Sequence, residues 1–226
     1  MSAAVLGNDT PWSEVHTLLI PAYLETLTMV GVVMVLVVLI GGASGVLLFN
    51  TSEFGLFPHR RLNRALGWTA NMGRSLPFLV LMAAIIPFTK YITGTTIGIK
   101  AAIVPMVIAG TPFFARLVEN ALRDLPREVN SVGLVSCGSP WQIIIHAQLS
   151  EALPGIVAGI TLNTISMIEY SAIAGTIGAG GIGYLAVLYG YQRFDHNIMI
   201  STIVVLIATI QLIQFIGDRV TRRLIK

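Results

Sequence analysis

Glu169 is the side chain in this sequence whose chemistry most needs a reason. It lies about sixteen residues into an apolar stretch that begins at Leu153, roughly 24 Å along a helix axis. A carboxylate at that depth in lipid costs about 2.5–3.5 kcal/mol on insertion scales, so it must face protein or water. It either pairs with a basic group or, protonated, hydrogen-bonds a neighbour, or it faces a solute inside a water-filled path. Other chemistry-bearing patterns are weaker. "GAGGIG" (Gly178–Gly183) has the spacing G-x-G-x-x-G, but a dinucleotide site needs a strand before it and a helix after it. Here it follows a membrane helix, and a flexible turn closing the outer mouth of a path is the better reading. No Gly-x-x-x-x-Gly-Lys-Ser/Thr occurs, so the chain has no P-loop. His16, His59, His146 and His196 share no metal-ligand spacing, and no Ser/His/Asp or Cys/His set is suggested by position. Catalytic and metal-binding residues are therefore not expected.

The elements that carry these residues are membrane spans. Hydrophobic residues make up 54% of the 226 and charged ones 11%, against about 25% in soluble domains. Mean hydropathy is +0.79. The fold class is all-α and polytopic. Roughly 20 apolar residues cross the hydrocarbon core, and five spans are expected. The first is the charge-free stretch between Glu25 and Glu53. The second lies within Gly67–Phe88, kinked or ended at Pro77 and Pro87. The third is Ile97–Val118, broken by Pro105 and Pro112. The fourth runs from Leu153-Pro154, with proline in the first turn, to about Ala174, and the fifth is Asn197–Gly217. Leu185–Tyr191 reads as a short re-entrant or interfacial helix. Gly41/Gly45 and Gly155/Gly159 are small-xxx-small pairs suited to close helix packing. The first twenty residues carry Asp9 and Glu14 but no Lys or Arg, unlike a signal peptide, so the first span is expected to remain as an anchor.

Basic residues orient the spans. With the N-terminus outside, Arg60, Arg61, Arg64, Arg74, Arg116, Arg123, Arg127, Arg219, Arg222, Arg223 and Lys226 fall inside, leaving Lys90, Lys100 and Arg193 outside. That assigns eleven of the fourteen to the cytoplasm. The pI near 9.2 thus reflects topology, and nucleic acid is not an expected partner.

This orientation puts a half-polar segment, "LPREVNSVGLVSCGSPWQIIIHAQLSEALPG" (Leu125–Gly155), in the cytoplasm. Val129, Val132 and Val135 form one stripe. "CGSP" then breaks the chain, and Ser139 and Pro140 suit the N-cap and first position of a second helix. Trp141, Ile144, Ile145 and Leu149 share one face of it, Gln142 and His146 another. Two short amphipathic helices at an angle are expected. They either rest on lipid headgroups or dock a partner.

"EALPGI" after a cytoplasmic helix pair resembles the permease subunits of type I ABC importers. The match extends through "GRSLPFLVLMAAIIPF…FFARLVENAL", "QLSEALPGIVAGITLNTI", "EYSAIAGTIGAGGIG" and "YGYQRF…QLIQFIGDR" to the methionine permease family, over roughly Glu25 to Arg219. The resemblance implies residues 25–219 as the permease domain, with a coupling loop at about 125–153. An extracytoplasmic segment (1–24) and a cytoplasmic tail (220–226) flank it. It also implies a multi-pass protein of the bacterial inner membrane that works by alternating access on methionine, in either enantiomer. The implied partners are a second copy, two ABC ATPase subunits and an extracytoplasmic solute-binding protein. ATP and Mg would be bound by the ATPase, and this chain would hold no cofactor.

Within the loop, the family's Glu-Ala-Ala falls on Ser131, Val132 and Gly133. Its glycine falls on Cys137, or on Gly138 if the turn is one residue shorter. Ser150 replaces the usual proline, and Glu151, Ala152, Leu153, Pro154 and Gly155 are intact. ATPase coupling is therefore expected of Ser131, Gly133, Cys137, Gly138, Trp141, Glu151, Leu153 and Pro154. Tyr170 and Ile173 match positions lining the family's substrate pathway, and Glu169 stands where a small residue is usual. A permease for another polar solute is the rival reading. A membrane-embedded enzyme or channel would need a catalytic cluster or a ring of pore charges.

Overall fold

The computed structural model describes residues 9–126, 128–135 and 138–225. Among them every regular element is helical. In chain order these are α1 (Trp12–Asn50), α2 (Arg60–Ser75), α3 (Phe78–Ala84), α4 (Ile86–Thr93), α5 (Ile99–Arg123), α6 (Glu128–Val135), α7 (Pro140–Gln142), α8 (Leu149–Thr176), α9 (Gly181–Leu185) and α10 (His196–Leu224). π-helical turns at Ile143–Gln148 and Ala186–Gln192 follow α7 and α9. Helices are the expected solution for apolar runs, because lipid offers backbone amides no partner.

Four stretches are long and apolar enough to cross a membrane: Trp12–Asn50, Ile99–Arg123, Pro140–Thr176 and His196–Leu224. The expected second span is not one helix. It divides into α2, α3 and α4, with one break at Leu76-Pro77 and the other at Ile85, after which Pro87 lies in the first turn of α4. Pro77 steers Leu76 into extended geometry, whereas Pro87 takes a first-turn position where its missing N–H costs the helix nothing. Pro105 and Pro112, by contrast, do not break α5, which runs unbroken for 25 residues. Helix α1 begins at Trp12, well before the charge-free stretch. Its 39 residues extend about 58 Å, far beyond a bilayer core of about 30 Å.

The chain divides into two compact units. One comprises Met1–Met34, Pro77–Val107 and Thr164–Ile213, the other Val35–Leu76, Ile108–Asn163 and Gln214–Lys226. In the second unit, α5 is packed on both sides by small residues. A Cβ at Gly45 of α1 would lie 2.7 Å from Val118 Cβ, and one at Gly155 of α8 would lie 2.9 Å from Ala121 Cβ. The small-xxx-small pairs are thus packing surfaces, with Phe114, Val118 and Leu122 of α5 fully buried. Such spacing admits dispersion contacts between backbones, which hold helices together where lipid removes the hydrophobic drive.

In the first unit the core gathers Val15 and Ala22 of α1, Ile182 and Leu185 of α9, and Ile198 of α10. The "GAGGIG" stretch is a turn, with Gly178, Gly180 and Gly181 at φ of 90°, 88° and 79°, backbone that glycine alone adopts without strain. The turn is fastened rather than loose. Glu25 Oε2 accepts from Gly181 N–H at 2.7 Å, Thr26 Oγ1 from Ile182 N–H at 2.9 Å, and Gly178 O from Gly98 N–H at 3.0 Å. The short helix expected at Leu185–Tyr191 is present as α9 and its π-turn, starting earlier, at Gly181.

Candidate functional site

Helix α8 carries the three expected pathway residues. Glu169 is exposed, and among the described residues it makes no ion pair or hydrogen bond. Among the described residues no structural pair is therefore available to offset the cost of a charge at this depth in a membrane helix. Tyr170, one position on, is half-buried and stacks on Phe78 of α3, with ring centroids 4.4 Å apart and planes within 5°. Ile173 is half-buried, one turn further along the helix. The next residue, Ala174, opens a cavity of about 340 Å³ shared with Leu79, Met82, Thr89, Ala101 and Pro105. That volume lies at the small end of the range for small-molecule sites, about 300–1,000 Å³. Its walls are aliphatic apart from threonine hydroxyls, which suits an apolar side chain.

The polar middle segment is the second candidate. Ser139 caps α7 as its sequence suggests: Ser139 Oγ accepts from Gln142 N–H, while Ser139 N–H donates to Gln142 Oε1 at 2.8 Å. Pro140 occupies the first helical position. The expected separate second helix is not observed. From Pro140 the chain stays helical to Thr176, through the π-turn and into α8, with Pro154 inside the helix rather than at its start. No glycine or second proline follows Pro140 closely enough to end the helix, and Pro154 removes only one backbone donor.

The π-turn resets the helix phase. Leu149 N–H bonds Ile144 O, five residues back, so side chains beyond it are turned by about one residue relative to an α-helix. Ile143, Ile144 and Gln148 are buried within it and Ala152 after it. The expected face of Trp141, Ile144, Ile145 and Leu149 is accordingly divided. Trp141, Ile144 and Leu149 line an apolar groove of about 750 Å³ with Val46, Leu47 and Phe114, while Ile145 is half exposed. Trp141 itself is 71% exposed. Glu151 and Leu153 are also exposed, and Gly138 is half-buried in the turn before Ser139. The side chains of Ser131 and Gly133, and all of Cys137, lie outside the described residues. Val135, expected on a stripe with Val129, is exposed.

Two buried polar clusters were not anticipated from sequence. Glu119 of α5 is 2% exposed and bridges Arg116 Nη1 at 2.6 Å and Arg123 Nη2 at 2.7 Å. Arg116 Nη2 also donates to Gly67 O and Asn71 Oδ1 of α2, tying α2 to α5. The i, i+3 and i, i+4 spacing was the available signal. The other cluster is amide-only. Asn50 Nδ2 donates to Gln148 Oε1 at 2.9 Å and Gln148 Nε2 returns a bond to Asn50 Oδ1 at 3.0 Å, and it also reaches Asn130 Oδ1 at 2.8 Å. Among the described residues no cluster of His, Cys, Asp and Glu could hold a metal.

The geometry therefore presents long apolar helices, with an exposed carboxylate, Glu169, deep within one of them and a polar segment built onto the start of that same helix. Comparison with known proteins agrees with it. The family described as the binding-protein-dependent transport system inner membrane component matches residues 51–226. A probable D-methionine transport system permease protein, MetI, of Vibrio cholerae is 47% identical over 206 residues, covering 91% of this chain and 92% of the relative. The methionine import system permease protein MetP of Bacillus subtilis is 37% identical, covering 77% of this chain and 79% of the relative. A solved structure of the MetNI methionine ABC transporter in an inward-facing conformation superimposes with a TM-score of 0.91 at 37% identity, covering 100% of both chains. The chain belongs to the family of binding-protein-dependent transport system inner membrane components, the permeases of these importers.

Proposed function

We propose that this chain is the permease subunit of an ATP-driven importer that carries methionine, L or D, across the cytoplasmic membrane by alternating access. The observation that carries the reading is the full-length likeness to an inward-facing methionine ABC transporter chain, at 37% identity. Five crossings, one of them segmented, are too few to enclose an aqueous path for an amino acid. Two copies about a two-fold axis can form one between them. Glu169 then faces that path and meets the amino acid's ammonium group. Tyr170 and Ile173 line it, and the aliphatic cavity beginning at Ala174 accepts the thioether side chain. Binding stays weak so that the solute can leave.

The N-terminus lies outside and the C-terminus in the cytoplasm, where the arginine-rich ends concentrate. Two ATPase subunits, which hold ATP and Mg, dock on the segment around 125–153 of each copy. Gly138 and the exposed Trp141 form part of the contact, with Ser131, Gly133, Cys137, Glu151, Leu153 and Pro154 in or beside it. Closure of the ATPases reaches the helices as rigid-body motion, and an extracytoplasmic binding protein delivers the solute. The test is ATP hydrolysis by the complete complex with a panel of amino acids. Methionine is expected to stimulate it most; stimulation by a different amino acid with none by methionine overturns the substrate assignment.

A further inference from the structure

The π-turn turns Gln148 onto the buried stripe of its helix, where the side chain is 0% exposed. There it meets Asn50, the last residue of α1 and itself 2% exposed. The two amides exchange both of their bonds, and the second Gln148 donor takes Asn130 of α6. Asn130 Nδ2 in turn donates to Phe54 O at 3.1 Å, and Asn50 Nδ2 also reaches Val46 O at 3.0 Å. One group of three amides thus joins the end of α1, the 51–59 loop, α6 and the head of the Pro140–Thr176 helix. Residues 98 positions apart in sequence are held in one register.

Stability alone does not call for this arrangement. Replacing both partners of a buried hydrogen bond by apolar groups is often neutral, whereas leaving one partner alone is costly. An apolar junction would also tolerate sliding, because dispersion contacts have little direction. A reciprocal amide pair has a single geometry and resists shear. We propose that Asn50, Gln148 and Asn130 are positioning residues for transport: they form a latch that makes the ATPase-docking segment and the end of α1 move as one body. The proposal rests on the docking role assigned above to residues 125–153.

The test uses the complete permease–ATPase–binding-protein complex in proteoliposomes. Gln148→Leu alone takes from the buried Asn50 amide its reciprocal pair of bonds, leaving it only Val46 O and a long bond from Leu56 N–H, and is expected to lower thermal stability. Asn50→Leu with Gln148→Leu removes both amides and is expected to recover it. If the latch positions, this stable double variant assembles and hydrolyses ATP near the wild-type rate, yet moves at least about fivefold less solute per ATP, the lower end of ordinary coupling between sites. Its nucleotide-dependent change in hydrogen exchange still appears in 128–148 but no longer in 51–59. The swap Asn50→Gln with Gln148→Asn keeps both amides and their combined reach and restores both readouts, whereas Gln148→Asn alone does not.

Wild-type solute per ATP in the stable double variant, with exchange still changing in 51–59, overturns the latch. Should the double leucine variant fail to assemble, the swap and the single Gln148→Asn decide: equal ratios in the two overturn it. The exchange readout needs no particular solute, so failure of methionine transport refutes the substrate assignment while leaving the latch to be judged on exchange.

Discussion

Tyr170 lies flat on Phe78, their rings 4.4 Å apart and within 5° of parallel. Phe78 opens α3 directly after Pro77, so the proline that divides the second crossing also presents the ring that receives Tyr170. The contact fixes one face of a residue expected to line the pathway and leaves its hydroxyl as the polar group. Phe78 is only 6% exposed. Phe78→Ala is expected to destabilise the permease by about 3–5 kcal/mol, the usual cost of deleting a buried phenyl ring. Tyr170→Phe, which keeps the stack, is expected to leave stability unchanged. Thermal unfolding of the detergent-solubilised complex measures both.

Glu169→Gln is expected to impair uptake while complex assembly and basal ATP hydrolysis stay close to wild type. The carboxylate has no partner among the described residues of its own chain, so neutralising it strands no buried cation. Expression, assembly, basal hydrolysis and uptake should be measured on the same preparations. Loss of assembled complex instead would assign Glu169 a structural partner on another chain.

Glu119→Gln should behave in the opposite way. It removes the charge between Arg116 and Arg123, whose guanidinium groups contact it at 2.6 and 2.7 Å. Glu119 is buried but the Arg116 and Arg123 side chains are 20% and 51% exposed and keep access to water, so losing the charged bonds costs about 1.5–3 kcal/mol. Yield of folded permease and its unfolding temperature are expected to fall before any transport assay is reached.

The contrast between these two glutamates marks what sequence could and could not tell. Four of the five apolar runs, the Ser139-Pro140 helix start and the glycine pairs are local signals that appear in the structure as expected, whereas the second run is divided into three short helices. Glu169 was conspicuous because its neighbours in sequence are apolar. Glu119 was not, because Arg116 and Arg123 flank it and the trio reads as a solvated helix surface; only packing of α2 against α5 buries it. Pro105 and Pro112 were expected to break a helix that runs through both of them. The continuity of Pro140–Thr176 escaped because a π-turn has no periodicity of its own, and the burial of Gln148 follows from that turn. The early start of α1 was masked by Glu14, His16 and Pro21, residues that weaken an apolar reading without preventing a helix.

Asp195 gives the fold a pH dependence near the start of α10. Burial pushes its carboxyl up, but hydrogen bonds from Ile198 N–H and from the Thr10 hydroxyl and N–H outweigh it, holding the group below its ordinary value of 3.8. Because the folded value is depressed, the stabilisation is fully present above about the unfolded value and is lost as pH falls through the folded one. Acid unfolding followed from neutral pH to below 3.8 is expected to show a shallower acid limb in Asp195→Asn than in wild type. Identical limbs would mean that the Thr10 and Ile198 bonds contribute nothing to the charged form.

The most direct measurement is uptake of radiolabelled methionine into proteoliposomes holding the permease, its ATPase and its binding protein, with ATP inside or absent. ATP-dependent accumulation of methionine that excess unlabelled methionine abolishes, and that Glu169→Gln reduces, is the predicted result. Accumulation that proceeds equally without ATP, or that methionine does not compete, would contradict an ATP-driven methionine permease.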